Sequence, residues 1–479
     1  MSALRPNILF LLSDQHHAGC AGYAGHPTLA TPALDQLAAE GLTFDRAYCQ
    51  NPVCAASRAC LMTGALSRDH GVYDNRHVLD GRLPTFPATL SAAGYRTAVI
   101  GKTHFNGDQY QGYQERPYGD LKGQAHQPDP ARRPDRGESG LGGVVKPAGP
   151  SGIPLPLTQT EICVAEAAKW LQAHTATRAD DPFCLSVHFD KPHFPLCPPA
   201  HYFERHAGKV SLPEVPPGQF EREVPFVRAA MRNNGEPDPE RRHRAAHERA
   251  LAAYYGCIEW IDDAIGRILA TLDYLGLREN TLVIYSSDHG EMAGERGTWQ
   301  KTVFFDASAR VPLLVRWPAG IPTPRRVSDL VGLVDWYPTF CELAGVPAPD
   351  SCRGRSLAPL FTGAALDRDE VWSESVVLGE PAHAGCMLRT DRWKLNHYLD
   401  GADELYDLSA DPAEQHNLFN DPAHSTTRDR LLARLHQLWE PDLQRQRYDA
   451  HPIAPEHKHT YPYSNQFVLA DGTMIDARP

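Results

Sequence analysis

The sequence predicts an α/β fold: a large mixed, mainly parallel sheet sandwiched by helices, with a smaller C-terminal α+β subdomain on a short antiparallel sheet. Three observations predict it. Short continuous apolar runs recur, each followed at once by polar, chemically capable residues; helical patterns lie between them; and the texture changes after about Val371. Continuous runs of Val, Ile, Leu and Phe suit strands buried on both faces, as in a parallel sheet. Strands alternating with helices imply the α/β class.

In chain order, the run 8–12 leads to Ser13-Asp14-Gln15, and residues 31–41 carry a helical pattern. Asn51 and Pro52 are turn residues before a second helix, which Cys54 opens and Gly64 can stop. After a helical pattern over 85–94, the run 97–100 leads to Gly101-Lys102-Thr103-His104. Residues 106–157 are rich in Gly, Pro and charge without a period, and read as a long excursion over the active face. A helix over 160–174 precedes the run 183–189, which leads to Asp190-Lys191-Pro192-His193. Residues 208–240 read as a second excursion. A long helix from about 244 to 277 repeats Leu251, Tyr254, Ile258, Ile261, Ile265, Ile268 and Leu272 at helical spacing. The run 282–285 leads to Ser286-Ser287-Asp288-His289-Gly290. Ligands of α/β folds bind beyond the carboxyl ends of the strands, where all four polar clusters fall.

The chain divides into a catalytic part over 1–370, a subdomain over 371–440 and an extended tail over 441–479. In the subdomain, 386–398 and 404–408 read as strands and 427–440 as a helix. The tail carries Tyr448, His451, Tyr461, Tyr463 and Phe467 without an apolar core, which suits packing on a neighbouring subunit in a homo-oligomer.

At 479 residues, one large domain and a smaller one are the natural division. The formal net charge of −12 argues against a nucleic-acid surface, and makes capture of an anion depend on a local basic cluster. Eleven scattered cysteines without a Cys-x-x-Cys pair argue against a disulfide framework and a thiolate zinc site. No span approaches transmembrane length, and the six-residue apolar segment 7–12 is too short for a signal peptide core, so a cytoplasmic enzyme without a membrane partner is expected.

The stretch Cys54-Ala55-Ala56-Ser57-Arg58 is the most informative. Residues four apart share a helix face, so Arg58 sits over the opening that Cys54 occupies, and the helix N-terminus attracts anions. A nucleophile, a guanidinium and a helix start together suit a tetrahedral oxyanion such as sulfate or phosphate. Asp14 and Asp288 end two apolar strands far apart in sequence. Two carboxylates at one sheet edge favour a divalent metal, and oxygen ligation favours Ca²⁺ or Mg²⁺. His289 adds a nitrogen, which moves the preference towards Mn²⁺. Lys102 and His104 alternate past a strand end and are expected on one side.

The Cys54–Gly64 segment resembles the sulfatase signature, Cys-x-(Pro or Ala)-Ser-Arg followed by an apolar turn and Thr-Gly, with Ala56 in place of the commoner proline. The run Glu404-Leu405-Tyr406-Asp407-Leu408-x-x-Asp411-Pro412-x-Glu414-x-x-Asn417-Leu418 resembles the C-terminal subdomain of the same family. The resemblance spans Pro6 to about Leu418. Its Asp14-Gln15 and Asp288-His289 pairs, with Gly71-Val72-Tyr73-Asp74-Asn75, look most like the choline-sulfatase and phosphonate monoester hydrolase branch of the formylglycine-dependent enzymes in the alkaline phosphatase superfamily.

The resemblance implies that a formylglycine-generating enzyme oxidises Cys54, and that the hydrate of the product is the nucleophile. Asp14, Gln15, Asp288, His289 and the oxygen of modified Cys54 are implied as ligands of one divalent metal, Ca²⁺ first, with Mn²⁺ or Mg²⁺ as alternatives. Arg58, Lys102 and Lys301 are implied to offset charge on the transferred group. His193 or Lys301 assists departure of the alcohol, and His104 takes the proton that lets sulfate leave. Asn75 reaches the substrate.

The function implied is hydrolysis of an organic sulfate monoester, of a small molecule or a carbohydrate, to alcohol and sulfate. The alternative is a phosphonate monoester or phosphodiester hydrolase using the same site. A binding protein with an inert thiol would be expected to lose at least one of Cys54, Arg58, Lys102, His104, His193 and Lys301, and all are present. A quaternary ammonium such as choline calls for an aromatic cage. The first excursion offers Tyr110, Tyr113 and Tyr118 for one, while Arg132, Arg133 and Arg136 suit an anionic sugar.

Overall fold

A computed structural model describes residues 5–75, 77–105, 109–119, 144–234, 243–377, 383–450, 466–468 and 474–476; the side chains of 233–234, 448–450 and the last two segments are not described. Arg132, Arg133 and Arg136 lie outside this set, as do His451, Tyr461 and Tyr463.

The apolar runs pair into one eight-stranded sheet. Its order is Glu115–Tyr118, Arg96–Gly101, Phe183–Pro192, Asn7–Asp14, Thr281–Ser287, Leu313–Arg316, Leu42–Phe44 and Arg325–Val327. Leu313–Arg316 is antiparallel to both neighbours, and the other pairings are parallel. Strand alternation splits the central strand between two cores. Ile8, Phe10 and Leu12 pack on one face with Trp336, Phe340 and the Cys54–Thr63 helix. Leu9 and Leu11 face Trp170, Ile261, Ile265 and Ile268 on the other. Each such wholly buried side chain contributes about 1.5–3 kcal/mol.

The helices follow the predicted patterns. Pro32–Glu40 and Phe86–Ala92 fall inside their expected spans, Gln159–Arg178 extends the third, and Arg244–Tyr274 is the long helix. Asp262 on that helix accepts from the N–H groups of Ala33 and Leu34 at 3.1 and 2.8 Å, capping the first helix from another element.

Register then sets the site. Ser13 pairs with Ser287, Asp14 with Pro192 and Gly101 with His188. The carboxyl ends of four adjacent strands are therefore in line, so Asp14, Lys102, His193 and Asp288 emerge at one edge.

The C-terminal region forms a four-stranded antiparallel sheet of Glu370–Val376, Ala384–Thr390, Trp393–Tyr398 and Glu404–Asp407. The expected strand over 386–398 is thus a hairpin arm pair, broken at Asp391-Arg392. Leu431 and Leu435 of the Ser425–Leu438 helix pack on Leu388, Leu395 and Leu405. Met387, Tyr398 and Tyr406 face the other way, against Phe226, Met292, Phe304 and Phe305.

Two expectations need correction. The second excursion contains the helix Pro225–Asn234, whose Phe226, Val227, Ala230 and Met231 are wholly buried against the C-terminal sheet. Flanking charge masks that spacing in the sequence, and tertiary packing stabilises it. The tail is not wholly extended either: Pro441–Ala450 is a helix, anchored by Arg445 Nη2 donating to Leu399 O at 2.8 Å.

Candidate active site

Cys54 is the first residue of the helix Cys54–Thr63 and wholly buried. Gly64 ends that helix at φ 64°, and a Cβ there would stand 2.5 Å from Cys352 Sγ. Gly64→Ala is expected to cost about 2 kcal/mol, read as a lower denaturant midpoint; an unchanged midpoint would contradict the strain argument.

Arg58, one turn on, is saturated by protein. Its Nε donates to Asp288 Oδ2 at 2.9 Å, its Nη2 to Asp14 Oδ2 at 3.0 Å, and its Nη1 to Lys102 O. It is a fixed cation that locks both carboxylates in place. Lys102 Nζ stands 2.8 Å from Asp14 Oδ2. Ser57 Oγ donates to the Asp288 carbonyl.

The ligating atoms of Asp14, Cys54, Asp288 and His289 all lie within 4.8 Å of one another, and all four residues are buried. His289 Nδ1 sits 2.9 Å from the Gly290 carbonyl, which can only accept, so Nδ1 carries the hydrogen. In the neutral ring Nε2 then holds its lone pair towards Cys54 Sγ at 3.1 Å and Asp288 Oδ1 at 3.6 Å. Gln15 is oriented the same way. Its Nε2 donates to the Glu291 carboxylate, which leaves Oε1 facing Lys301 Nζ at 2.5 Å. This donor set of carboxylates, an amide oxygen and one imidazole nitrogen suits a hard divalent cation.

Lys301 Nζ also lies 3.3 Å from Cys54 Sγ, and His193 Nε2 lies 4.0 Å from Asp14 Oδ1. Asn75 Oδ1 accepts from Ala55 N at 2.9 Å, at the start of the helix that Cys54 opens. His104 is half-buried, two residues past Lys102. Its φ of 56° takes it out of the extended region, so strand alternation does not set the direction of its ring.

Electrostatics make position 54 a place for an anion. Burial and Asp14 push the Cys54 thiol up, but Lys301, His289 and Lys102 outweigh them and hold it well below the usual thiol range. Burial also opposes the Asp14 charge, yet Lys102, His193, Arg58 and His289 keep that carboxyl well below the carboxylate range. Asp288 is pushed up to about 6 by burial and by Asp14. Burial, Lys102 and Lys301 hold His193 well below the usual histidine value.

The sequence reading missed Glu291, which fixes Gln15 and also accepts from the N–H groups of Ala293 and Gln300. Its place directly after Asp288-His289-Gly290 was the available signal. The three tyrosines that the first excursion offers for an aromatic cage do not converge. Tyr113 is buried in the core with Phe86, Tyr118 packs on the opposite face of the sheet, and Tyr110 is about half exposed.

A family model described as Sulfatase matches residues 6–346, and one described as N-sulphoglucosamine sulphohydrolase, C-terminal, matches 294–441. A choline-sulfatase of Rhizobium meliloti is 31% identical, covering 88% of this chain and 84% of its own. An arylsulfatase of Clostridium perfringens is 29% identical over 87% of this chain and 91% of its own. An N-acetylglucosamine-6-O-sulfatase of Bacteroides thetaiotaomicron is 27% identical over 90% and 86%. Among solved structures, the phosphonate monoester hydrolase of Agrobacterium radiobacter superposes with a TM-score of 0.77 at 23% identity, covering 99% of this chain and 100% of that one; it shares the fold.

Proposed function

Because the chain belongs to the sulfatase family and is a sulfuric ester hydrolase, we propose that it works from position 54 as formylglycine, with Asp14, Gln15, Asp288 and His289 holding one divalent cation. The observation that carries this reading is the convergence on Cys54 Sγ: Lys301 Nζ at 3.3 Å and His289 Nε2 at 3.1 Å, beside two carboxylates locked by Arg58.

When present, the formylglycine hydrate supplies the nucleophilic oxygen and the cation stabilises negative charge on it and on the sulfuryl group. The remaining work belongs to this chain's own side chains. Arg58 holds Asp14 and Asp288 at fixed spacing. Lys102 and Lys301 place positive charge where the sulfuryl oxygens gather it. As the S–O bond breaks, its electron pair goes to the alcohol oxygen, which takes a proton from Lys301 or, once charged, His193. His104 accepts the proton whose removal releases sulfate, and Asn75 positions the substrate from the helix start. Ca²⁺ suits the oxygen donors, and the one nitrogen leaves Mn²⁺ and Mg²⁺ as alternatives. A formylglycine-generating enzyme is the partner this reading requires, and a homo-oligomer through the tail remains part of it.

The substrate is an organic sulfate monoester of a small-molecule or carbohydrate alcohol; the similarity to an N-acetylglucosamine-6-O-sulfatase supports the carbohydrate. The phosphonate reading has less support, since its structural relatives share the fold at 23–24% identity. The test is kcat/KM for matched aryl sulfate and aryl phosphonate esters, on protein coexpressed with a formylglycine-generating enzyme. A strong sulfate preference is expected; a phosphonate preference would overturn the assignment.

A further inference from the structure

Lys301 is set in strained backbone. The residues on either side, Gln300 at φ 74° and Thr302 at φ 86°, are non-glycine residues in the left-handed region. A β-branched threonine is a genuine outlier there. Such conformations persist only where the surroundings over-determine them. The surroundings here are specific. Before Lys301, the Gln300 N–H is taken by the Glu291 carboxylate. After it, Thr302 N donates to Pro52 O at 3.1 Å, in the segment that leads into the nucleophile's helix.

The other restraints come from the C-terminal region. Ser375 Oγ donates to Thr302 O at 2.6 Å, and Lys394 Nζ donates to Phe304 O at 3.0 Å. Glu414 Oε2 accepts from Asp306 N at 2.7 Å, and its Oε1 takes Lys394 Nζ at 2.7 Å. Ser375 and Lys394 are wholly buried and Glu414 nearly so. Arg296, earlier in the same loop, is tied to Glu223 and to the Glu414 carbonyl. The strand that carries Ser375 also touches the other side of the site, where Glu374 N donates to Gln50 O at 2.8 Å.

We propose that Ser375, backed by Lys394 and Glu414, is a positioning residue for Lys301: by fixing the Thr302 carbonyl it holds the Lys301 ammonium towards Gln15 and position 54. The C-terminal sheet is then part of the machinery for alcohol departure. The proposal rests on the reading of Lys301 as the proton donor. The Ser375 hydroxyl is wholly buried and donates to a backbone oxygen one residue from Lys301, and that geometry gives it this role.

The role has a signature that a general structural contact lacks. Departure of an alkyl alcohol depends on a proton delivered to its oxygen, whereas 4-nitrophenolate leaves with little help. Losing the position of Lys301 therefore costs most on unactivated alkyl sulfates. Ser375→Ala should lower kcat about tenfold on alkyl sulfates, as expected for one lost hydrogen bond, with little change on 4-nitrophenyl sulfate or in KM. Lys301→Ala should lower kcat on both substrates, because its charge also faces the sulfuryl oxygens, and by a larger factor on alkyl sulfates. If Ser375→Ala costs nothing, or costs equally on both substrates, while Lys301→Ala stays selective, the positioning role is overturned and the reading of Lys301 stands. If Lys301→Ala is itself unselective, the proton-donor reading fails and the positioning role with it. Ser375→Cys, of similar size but a weak donor, takes the place of the alanine variant if that protein does not fold, with the same outcomes.

Discussion

Cys54→Ala is expected to remove turnover, with kcat falling by about 10⁴-fold or more, as when a nucleophile acting in concert with its neighbours is deleted. The fold should survive. The side chain is small, wholly buried at a helix start, and its removal leaves Arg58 bonded to Asp14 and Asp288. The measurement is kcat on an aryl sulfate beside a thermal melt, with mass spectrometry of the peptide over 51–58 to follow conversion of the residue to its aldehyde. A folded Cys54→Ala protein with ordinary activity would remove position 54 from the mechanism. Loss of activity with an intact melt would tie the reaction to that side chain, since nothing else around it has changed.

Removal of the divalent cation is expected to have the second largest effect. Chelation, or Asp288→Asn, should lower kcat by about 10³-fold, the equivalent of several kcal/mol of lost charge stabilisation. Asp14, Asp288, His289 and position 54 bring their ligating atoms within 4.8 Å of one another with no solvent access, so two carboxylates meet where only cations make that tolerable. Arg58 and Lys102 supply part of that charge, which is why the stripped protein should stay folded. Readdition of Ca²⁺, Mn²⁺ or Mg²⁺ to the stripped enzyme then ranks the metals by recovered rate. Full activity in chelator, with no divalent ion by elemental analysis, would rule the metal site out.

Much of this site was legible in the chain because its parts are local. Asp14, Lys102, His193 and Asp288 each follow an apolar run, and a buried parallel strand ends where its polar residues begin. Cys54 and Arg58 share a helix face by spacing alone, and Gly64 ends that helix as expected. Other parts were hidden for physical reasons. Glu291 acts on Gln15, a residue far away in the sequence, through an amide whose orientation no local pattern fixes. The helix over Pro225–Asn234 carries charged residues on its outer face, and only the C-terminal sheet gives its apolar side something to bury against. His104 leaves the extended backbone, so a rule for strands does not apply to it.

By itself the sequence determined the α/β class, four strands of the main sheet with helices between them, and the residue types that gather at their carboxyl ends. These follow from periodicity, from turn and cap residues, and from motifs a few residues long, all of which act over short stretches of chain. Only the tertiary structure decided how the pieces meet: that Arg58 spends its nitrogens on Asp14, Asp288 and the Lys102 carbonyl, that Tyr113 lies in the core and not in a cage, and that Ser375 grips the loop of Lys301. Those contacts join segments from 44 to 230 residues apart, and they exist because parallel register aligns four strand ends and a separate sheet packs across the loop beside them. Register and packing are properties of the whole chain collapsed together, and no short stretch of it carries them.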